Sequence, residues 1–248
     1  MKKSIFTMLT LSFVILSACQ PQSKPPRDPL EVEMLPLESD LEKRSYALGA
    51  SIGHIVEDKI NKQKAVEIEL DHVLLVQGFI AGMQGKSQLP DKEVKSLNQL
   101  IDAQVREKNK AIRAKQTAEN KTAGLAFLTE NAERAGVIQT ESGLQYEILM
   151  QGEGRSPLVS DTVKVQYKGT LLNGTEFDSS YARNKPASFP LNLVIKGWTE
   201  GVQLMKEGAK FKFYVPSELA YGARSTGKIP GNSTLIFEVE LLEITPAG

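Results

Sequence analysis

The sequence predicts an α+β protein. An all-α N-terminal domain and a long spacer helix precede an antiparallel β-sheet wrapped around one short helix. Three observations predict it. Apolar residues recur at helical spacing between Leu41 and Met83; no proline and only one glycine, Gly124, interrupt the stretch from Asp91 to Ala135; and after Gly143 the apolar period drops to two. The chain has 248 residues, 41% of them hydrophobic and 24% charged, enough to bury a real core. Lys+Arg and Asp+Glu both number 30, so the net charge is zero. This argues against a general nucleic-acid binder, which needs a basic excess to displace counterions.

In chain order, the first segment reads as an export signal over residues 1–18. Lys2 and Lys3 precede an apolar run from Ile5 to Leu16, too short to span a bilayer as a helix. Leu16-Ser17-Ala18-Cys19 resembles the bacterial lipobox, which implies that Cys19 is lipidated and becomes the new N-terminus. Cys19 is the only cysteine, so no internal disulfide can form. By the rule for such lipoproteins, Gln20 in place of Asp implies the outer membrane, with the acyl chains as a stable anchor. Residues 19–38 hold Pro21, Pro25, Pro26, Pro29 and Pro36 among polar residues and read as a flexible tether.

Residues 39–89 read as a helical dimerisation domain. Ser39 stands three before Glu42, a capping-box spacing, and Leu41, Leu48, Ile52, Ile55 and Val56 form one stripe. Gly49 and Gly53 share a side of that helix, where two backbones can approach. Asp71 is the expected cap of a second helix carrying Leu74, Leu75, Phe79 and Met83. Two amphipathic helices make a very small core, so a second copy of the chain is the economical partner.

Residues 90–136 read as one long helix or two abutting ones. Val94, Leu97, Leu100, Ile101 and Val105 give its start an apolar stripe, whereas Arg106 to Ala123 holds Ile112 as its one large apolar residue. A helix polar on nearly all sides bridges through solvent, so this charge run is expected to be a solvated face. Leu125, Phe127 and Leu128 restore apolar character, and Gly136 is the expected C-cap.

In residues 137–248, Leu144, Tyr146 and Ile148 alternate, as do Val163, Val165 and Tyr167, then Phe211, Phe213 and Val215, then Leu235, Phe237, Val239 and Leu241. Asn173-Gly174 signals a two-residue hairpin, and one short helix fits from about Thr199 to Lys206. The architecture is a sheet layered on a helix.

Within this part stand Val163-x-Val165-x-Tyr167-x-Gly169, then Gly174-x-x-Phe177-Asp178-Ser179-Ser180, then Val194-Ile195-x-Gly197-Trp198, then Leu219-Ala220-Tyr221-Gly222, then Ile229-Pro230-x-Asn232-Ser233-Thr234-Leu235-x-Phe237. Each string alone is weak; in this order and spacing they resemble the FKBP family of peptidyl-prolyl cis/trans isomerases, from about Gly143 to Ile244. Tyr46-Ala47-Leu48-Gly49 and the long helix resemble that family's macrophage infectivity potentiator branch, lipoproteins that dimerise through an N-terminal domain.

The resemblance implies that Trp198 is the floor on which a substrate proline stacks, and that Tyr167, Phe177, Phe189, Val194, Ile195, Ile229 and Phe237 complete the substrate-binding walls. It further implies that the Ile195 N–H and the Tyr221 hydroxyl hold substrate carbonyls, while Asp178, bonded to Tyr167, faces the twisting bond. Asp178 and Tyr221 are therefore the catalytic candidates. Two departures bear on the wall. The stretch from Pro186 to Trp198 is shorter than in small cytosolic members, and Ala187 replaces an aromatic residue whose place Phe189 is expected to fill. Gly231-Asn232 replaces a Pro-His found in some members, and Asn232 is read as shaping its loop.

The chemistry asks for neither cofactor nor metal. The two histidines, His54 and His72, read as surface or cap residues, and Gly152-Glu153-Gly154 lacks a following phosphate-loop pattern. The expected partners are proline-containing unfolded or partly folded polypeptides, a second copy of the chain, the membrane through Cys19, and macrolide inhibitors of the FK506 type. The expected function is isomerisation of X–Pro bonds in exported proteins, assisting folding in the envelope of a Gram-negative bacterium. The alternatives are a holding chaperone in which isomerisation is secondary, and a surface factor associated with virulence.

Overall fold

A computed structural model describes residues 31–32 and 34–247; the signal segment and Cys19 lie outside them. The chain divides into two compact units, residues 1–91 and 92–248.

In the first unit, helix α1 (Asp40–Lys64) starts with both halves of the capping box: the Ser39 side chain accepts from the Glu42 N–H, and the Glu42 carboxylate accepts from the Ser39 N–H at 2.8 Å. Helix α2 (His72–Met83) starts where the Asp71 carboxylate accepts from the Leu74 N–H at 3.0 Å. Leu41, Leu48, Ile55, Leu74 and Met83 all remain exposed, whereas Gln63 and Val66 are buried.

The second unit opens with helix α3 (Asp91–Ala132), a single uninterrupted helix rather than two abutting ones. Gly136, with φ +88°, is not its C-cap; it lies beyond the helix, in the turn that leads into β1. Strands β1 (Val137–Gln139), β2 (Gln145–Met150), β3 (Thr162–Leu171), β4 (Glu176–Ser179), β5 (Ala187–Pro190), β6 (Lys210–Val215) and β7 (Leu235–Thr245) form one antiparallel sheet. Its order is β1-β2-β6-β7-β3-β4, and β5 also pairs with β3. In β3 and along β7 from Leu235 to Leu241 alternate residues are buried, and Val163, Val165, Phe213, Val215, Leu235, Val239 and Leu241 of the sheet are fully buried.

The β3–β4 turn differs from the two-residue hairpin. The Gly174 N–H donates to the Leu171 carbonyl, and Leu171 donates to Thr175, both at 2.9 Å. The loop is therefore Leu172-Asn173-Gly174, with Gly174 at φ +83°, a type of three-residue hairpin that needs a left-handed last residue.

Helix α4 (Lys196–Gln203) begins three residues earlier than the sequence suggests. Gly197 and Gly201 lower its helix propensity, but they are what lets it settle on β6. A Cβ at Gly197 would stand 2.5 Å from Val215 Cγ1, and one at Gly201 2.6 Å from the Phe213 ring. This contact brings Trp198, between the two glycines, to the edge of the core.

The end of α3 is fastened to the sheet by buried amides. Asn131 donates to Gln145 at 2.8 Å, and Gln145 donates to the Leu128 carbonyl and to Gln139 at 2.8 and 2.9 Å. Arg134 and Tyr214 continue the network to Glu147. Among the described residues, no helix is long and apolar enough to cross a membrane, and no group of three or more His, Cys, Asp or Glu could hold a metal ion.

Candidate active site

A cavity of about 640 Å³ opens over the inner end of α4. Every residue of the expected isomerase site lines it: Tyr167 from β3, Phe177 and Asp178 from β4, Phe189 from β5, Val194, Ile195 and Trp198 at the start of α4, Tyr221 and Ile229 from the loop before β7, and Phe237 from β7. Ala187 packs at the core margin, and Phe189, two residues on in β5, lines the cavity.

Trp198 is the hub. It is 4% exposed, and its ring meets Tyr167, Phe237 and Phe189 edge-on at 5.2, 5.3 and 5.7 Å. Phe177 stands perpendicular to Phe237 at 5.5 Å. Such edge-to-face contacts fix ring positions beyond what area burial alone supplies. The indole N–H finds no protein partner. The tryptophan is thus packed against three rings and also lines the cavity.

One polar cluster interrupts the apolar lining. Asp178 accepts hydrogen bonds from the Tyr167 hydroxyl, the Arg183 guanidinium and the Ser179 N–H. Arg183 also donates to the Tyr167 hydroxyl at 2.8 Å and lies over that ring at 5.6 Å. Burial pushes the Asp178 carboxyl upward, but Tyr167 and Arg183 together overcome it and hold the group below the ordinary carboxylate range. The Tyr167 phenol is pushed up by its own burial and by Asp178. Asp178 is therefore an anion at neutral pH, and Tyr167 a neutral donor. Tyr221, at 40% exposure, stands at the rim.

Sequence reasoning missed Arg183. Its signal was faint: it follows Asp178-Ser179-Ser180 within one turn, which the Arg183 N–H closes on the Ser180 carbonyl at 3.2 Å. Leu193, Ala220, Thr226, Gly227 and Lys228 also line the cavity unforeseen.

A protein-family model described as FKBP-type peptidyl-prolyl cis-trans isomerase matches residues 153–242, and one for the domain amino terminal to it matches residues 41–148. The FKBP-type isomerase FkpA of Aeromonas hydrophila is 42% identical over 241 residues, covering 93% of this chain and 90% of the relative. The chain belongs to the FKBP-type peptidyl-prolyl cis-trans isomerase family. FkpA of Escherichia coli strain K12 is 42% identical over 209 residues, covering 84% of this chain and 77% of that one. The crystal structure of E. coli FkpA matches 86% of this chain and all of its own, with a TM-score of 0.67 at 42% identity. As an FKBP-type enzyme, the chain catalyses peptidyl-prolyl cis-trans isomerisation, and its helical N-terminal region is a feature shared with these relatives.

A second cavity of about 470 Å³ lies between α1 and α2, lined by apolar residues including Ile52, Val56, Ile60, Leu75 and Phe79. Gly49 and Gly53 border it, and neither has an atom within 4 Å of the place its Cβ would take. His54 and His72 are exposed, and only His72 borders this cavity.

Proposed function

We propose that the chain isomerises X–Pro bonds of exported polypeptides in the cell envelope, with Trp198 as the floor of its prolyl site. The single observation that carries the reading is the tryptophan-floored apolar cavity with one anchored carboxylate at its wall. A peptide bond is planar by resonance, with a rotation barrier of ~18–20 kcal/mol. The planar amide is more dipolar than the twisted one, so an apolar pocket penalises the ground state more than the transition state. Each ~1.36 kcal/mol removed gives about tenfold in rate.

In this reading Tyr167, Phe177, Phe189, Val194, Ile195, Ile229 and Phe237 enclose the prolyl ring. The Tyr221 hydroxyl and the Ile195 N–H hold substrate carbonyls. Asp178, held by Tyr167 and Arg183, presents a fixed negative charge to the rotating carbonyl carbon. Macrolides of the FK506 type compete for the same cavity. A cis-proline peptide assay tests this. Trp198→Ala and Asp178→Ala are expected to lose most of the turnover, and wild-type rates in both would overturn the assignment.

The envelope location rests on the FkpA relatives and on the leader, and attachment through Cys19 to the outer membrane rests on the leader alone. Radiolabelled palmitate incorporated by the wild type but not by Cys19→Ser is the expected result. Dimerisation through the N-terminal helices is supported by the open α1–α2 cavity and the exposed apolar residues beside it. A monomer in analytical ultracentrifugation would refute it. The same exposed surface favours a second reading, a holding function. If Tyr221→Ala abolishes peptide turnover while client aggregation is still suppressed, binding rather than catalysis is the main activity.

A further inference from the structure

The loop from Ala220 to Thr234 forms one wall of the cavity through Thr226, Lys228 and Ile229. It is long and nearly free of regular structure. Its tip is closed by the paired Thr226 and Ile229, which exchange bonds of 2.8 and 2.9 Å, and its base by Asn232 donating to the Gly222 carbonyl at 2.8 Å. Inside it, Ser225 Oγ also accepts from the Gly231 N–H at 3.1 Å, and so long a loop gains a further hold from what grips it outside.

What grips it is the polar middle of α3. From Lys110 to Ala123 only Thr117 and Asn120 are partly buried, and the rest are exposed. The Asn120 amide donates to the Gly231 carbonyl at 3.0 Å and to Ser233 Oγ at 3.4 Å, and the Asn232 amide donates to the Thr117 carbonyl at 3.3 Å. Gly124, one turn on, is buried, and a Cβ there would stand 2.4 Å from Thr234 Oγ1. Thr117, Asn120 and Gly124 thus make one stripe at helical spacing against the stem Gly231–Thr234. The stem is rigid where it is held: Gly231 is buried, and Asn232 sits at φ +55°, a left-handed conformation that asparagine tolerates better than most residues. Beside the stripe a cavity of about 200 Å³, bordered by Asn120, Pro230 and Ser233, leaves the stem room to move once the grip is lost.

We propose that Asn120 is a positioning residue for substrate binding: from the back of the loop it sets where Thr226–Ile229 stand over the Trp198 floor. The charge run of α3 is therefore not wholly a solvated face, and α3 takes part in the site without touching substrate. The inference rests on the cavity being the prolyl site, and its test separates the two.

The full chain carrying Asn120→Asp, which keeps the volume but loses the donor, is compared with Asn120→Ala and with Glu119→Ala on the exposed side of the same turn. Hydrogen exchange of the amides of 224–229 and 231, which needs no substrate, is expected to speed up about three- to tenfold in both Asn120 variants, the range open to losing the 3.0 Å bond to the Gly231 carbonyl, with β3, β6 and β7 unchanged. Trp198 is the sole tryptophan, so its fluorescence reads peptide binding directly. KM and the peptide Kd should rise by a similar factor with kcat unchanged. Loop exchange equal to wild type overturns the clamp, as does an equal effect of Glu119→Ala. A loosened loop with unaltered peptide affinity overturns the positioning role. A wild-type Trp198 signal indifferent to proline peptide refutes instead the reading of the cavity, leaving the exchange result to decide the clamp.

Discussion

Gly169→Ala adds a single methyl group and should nonetheless disable the pocket. Gly169 is buried in β3, paired with Phe237 on one side and Asp178 on the other. A Cβ there would stand 2.6 Å from Phe177 Cζ, 2.7 Å from Phe177 Cε2 and 2.9 Å from Phe237 Cε1. Both rings line the cavity, and Phe237 also holds the edge of Trp198. To regain ordinary contact the rings must retreat by roughly 1 Å, a displacement that elsewhere costs up to about a hundredfold in rate. Overpacking costs about 1–3 kcal/mol, whereas replacing a strand glycine by alanine returns about 0.5–1 kcal/mol of chain entropy. The net destabilisation is therefore at most about 2.5 kcal/mol, too little to unfold a domain stable by about 5–15 kcal/mol. The cis-proline peptide assay should show kcat/KM falling about ten- to a hundredfold, with thermal melting lowered by only a few degrees and Trp198 emission altered. Adding Phe177→Leu should recover melting but not rate. A folded Gly169→Ala enzyme with wild-type kcat/KM would refute the claim that these ring positions create the activity.

Three further outcomes are expected. Asp178 lies below the ordinary carboxylate range, so activity should stay flat from neutral pH down and fall only below that range; Arg183→Ala removes one of the groups opposing burial and should move the acid limb to higher pH, read from a pH–rate profile. Asp161, almost fully buried, is held low chiefly by the Leu158 N–H and then by Arg155, and it also accepts from the Ala247 N–H. Its folded pKa lies below its unfolded one, so its stabilisation is present above the unfolded value and is lost as pH falls through the folded value; the melting gap between wild type and Asp161→Asn should be open at neutral pH and narrow as pH falls below the ordinary carboxylate range. Asn131→Ala takes the donor from buried Gln145 Oε1 and one acceptor from Arg134 where α3 meets the sheet, and should cost about 1–3 kcal/mol in urea unfolding, with little change in kcat/KM.

The alternation of Val163, Val165 and Tyr167, and of Leu235, Phe237 and Val239, was enough to place these strands, because a period of two permits only one buried face. Ser39 with Glu42, and Asp71, announced their helices because capping is settled by atoms three residues apart. Apart from Phe189, which was inferred from the departure at Ala187, the aromatic residues of the site were legible through the family's ordered strings, and the cavity gathers all of them. Other features were not local. Helix α4 starts at Lys196 because two glycines that weaken it as an isolated helix fit it to Phe213 and Val215, residues on a strand formed later in the chain. Arg183 reaches Asp178 and Tyr167 together only once β3 and β4 are paired. Asn120 looked like one more solvated residue in a charged helix, since its partners at Gly231 and Ser233 lie more than a hundred positions away. Local periodicity and capping along the chain thus dictate the elements, their buried faces and the chemical character of the pocket. Which distant polar groups meet is set by the folded arrangement alone, because a hydrogen bond depends on the approach of two atoms to about 3 Å, and no pattern along the chain encodes that distance.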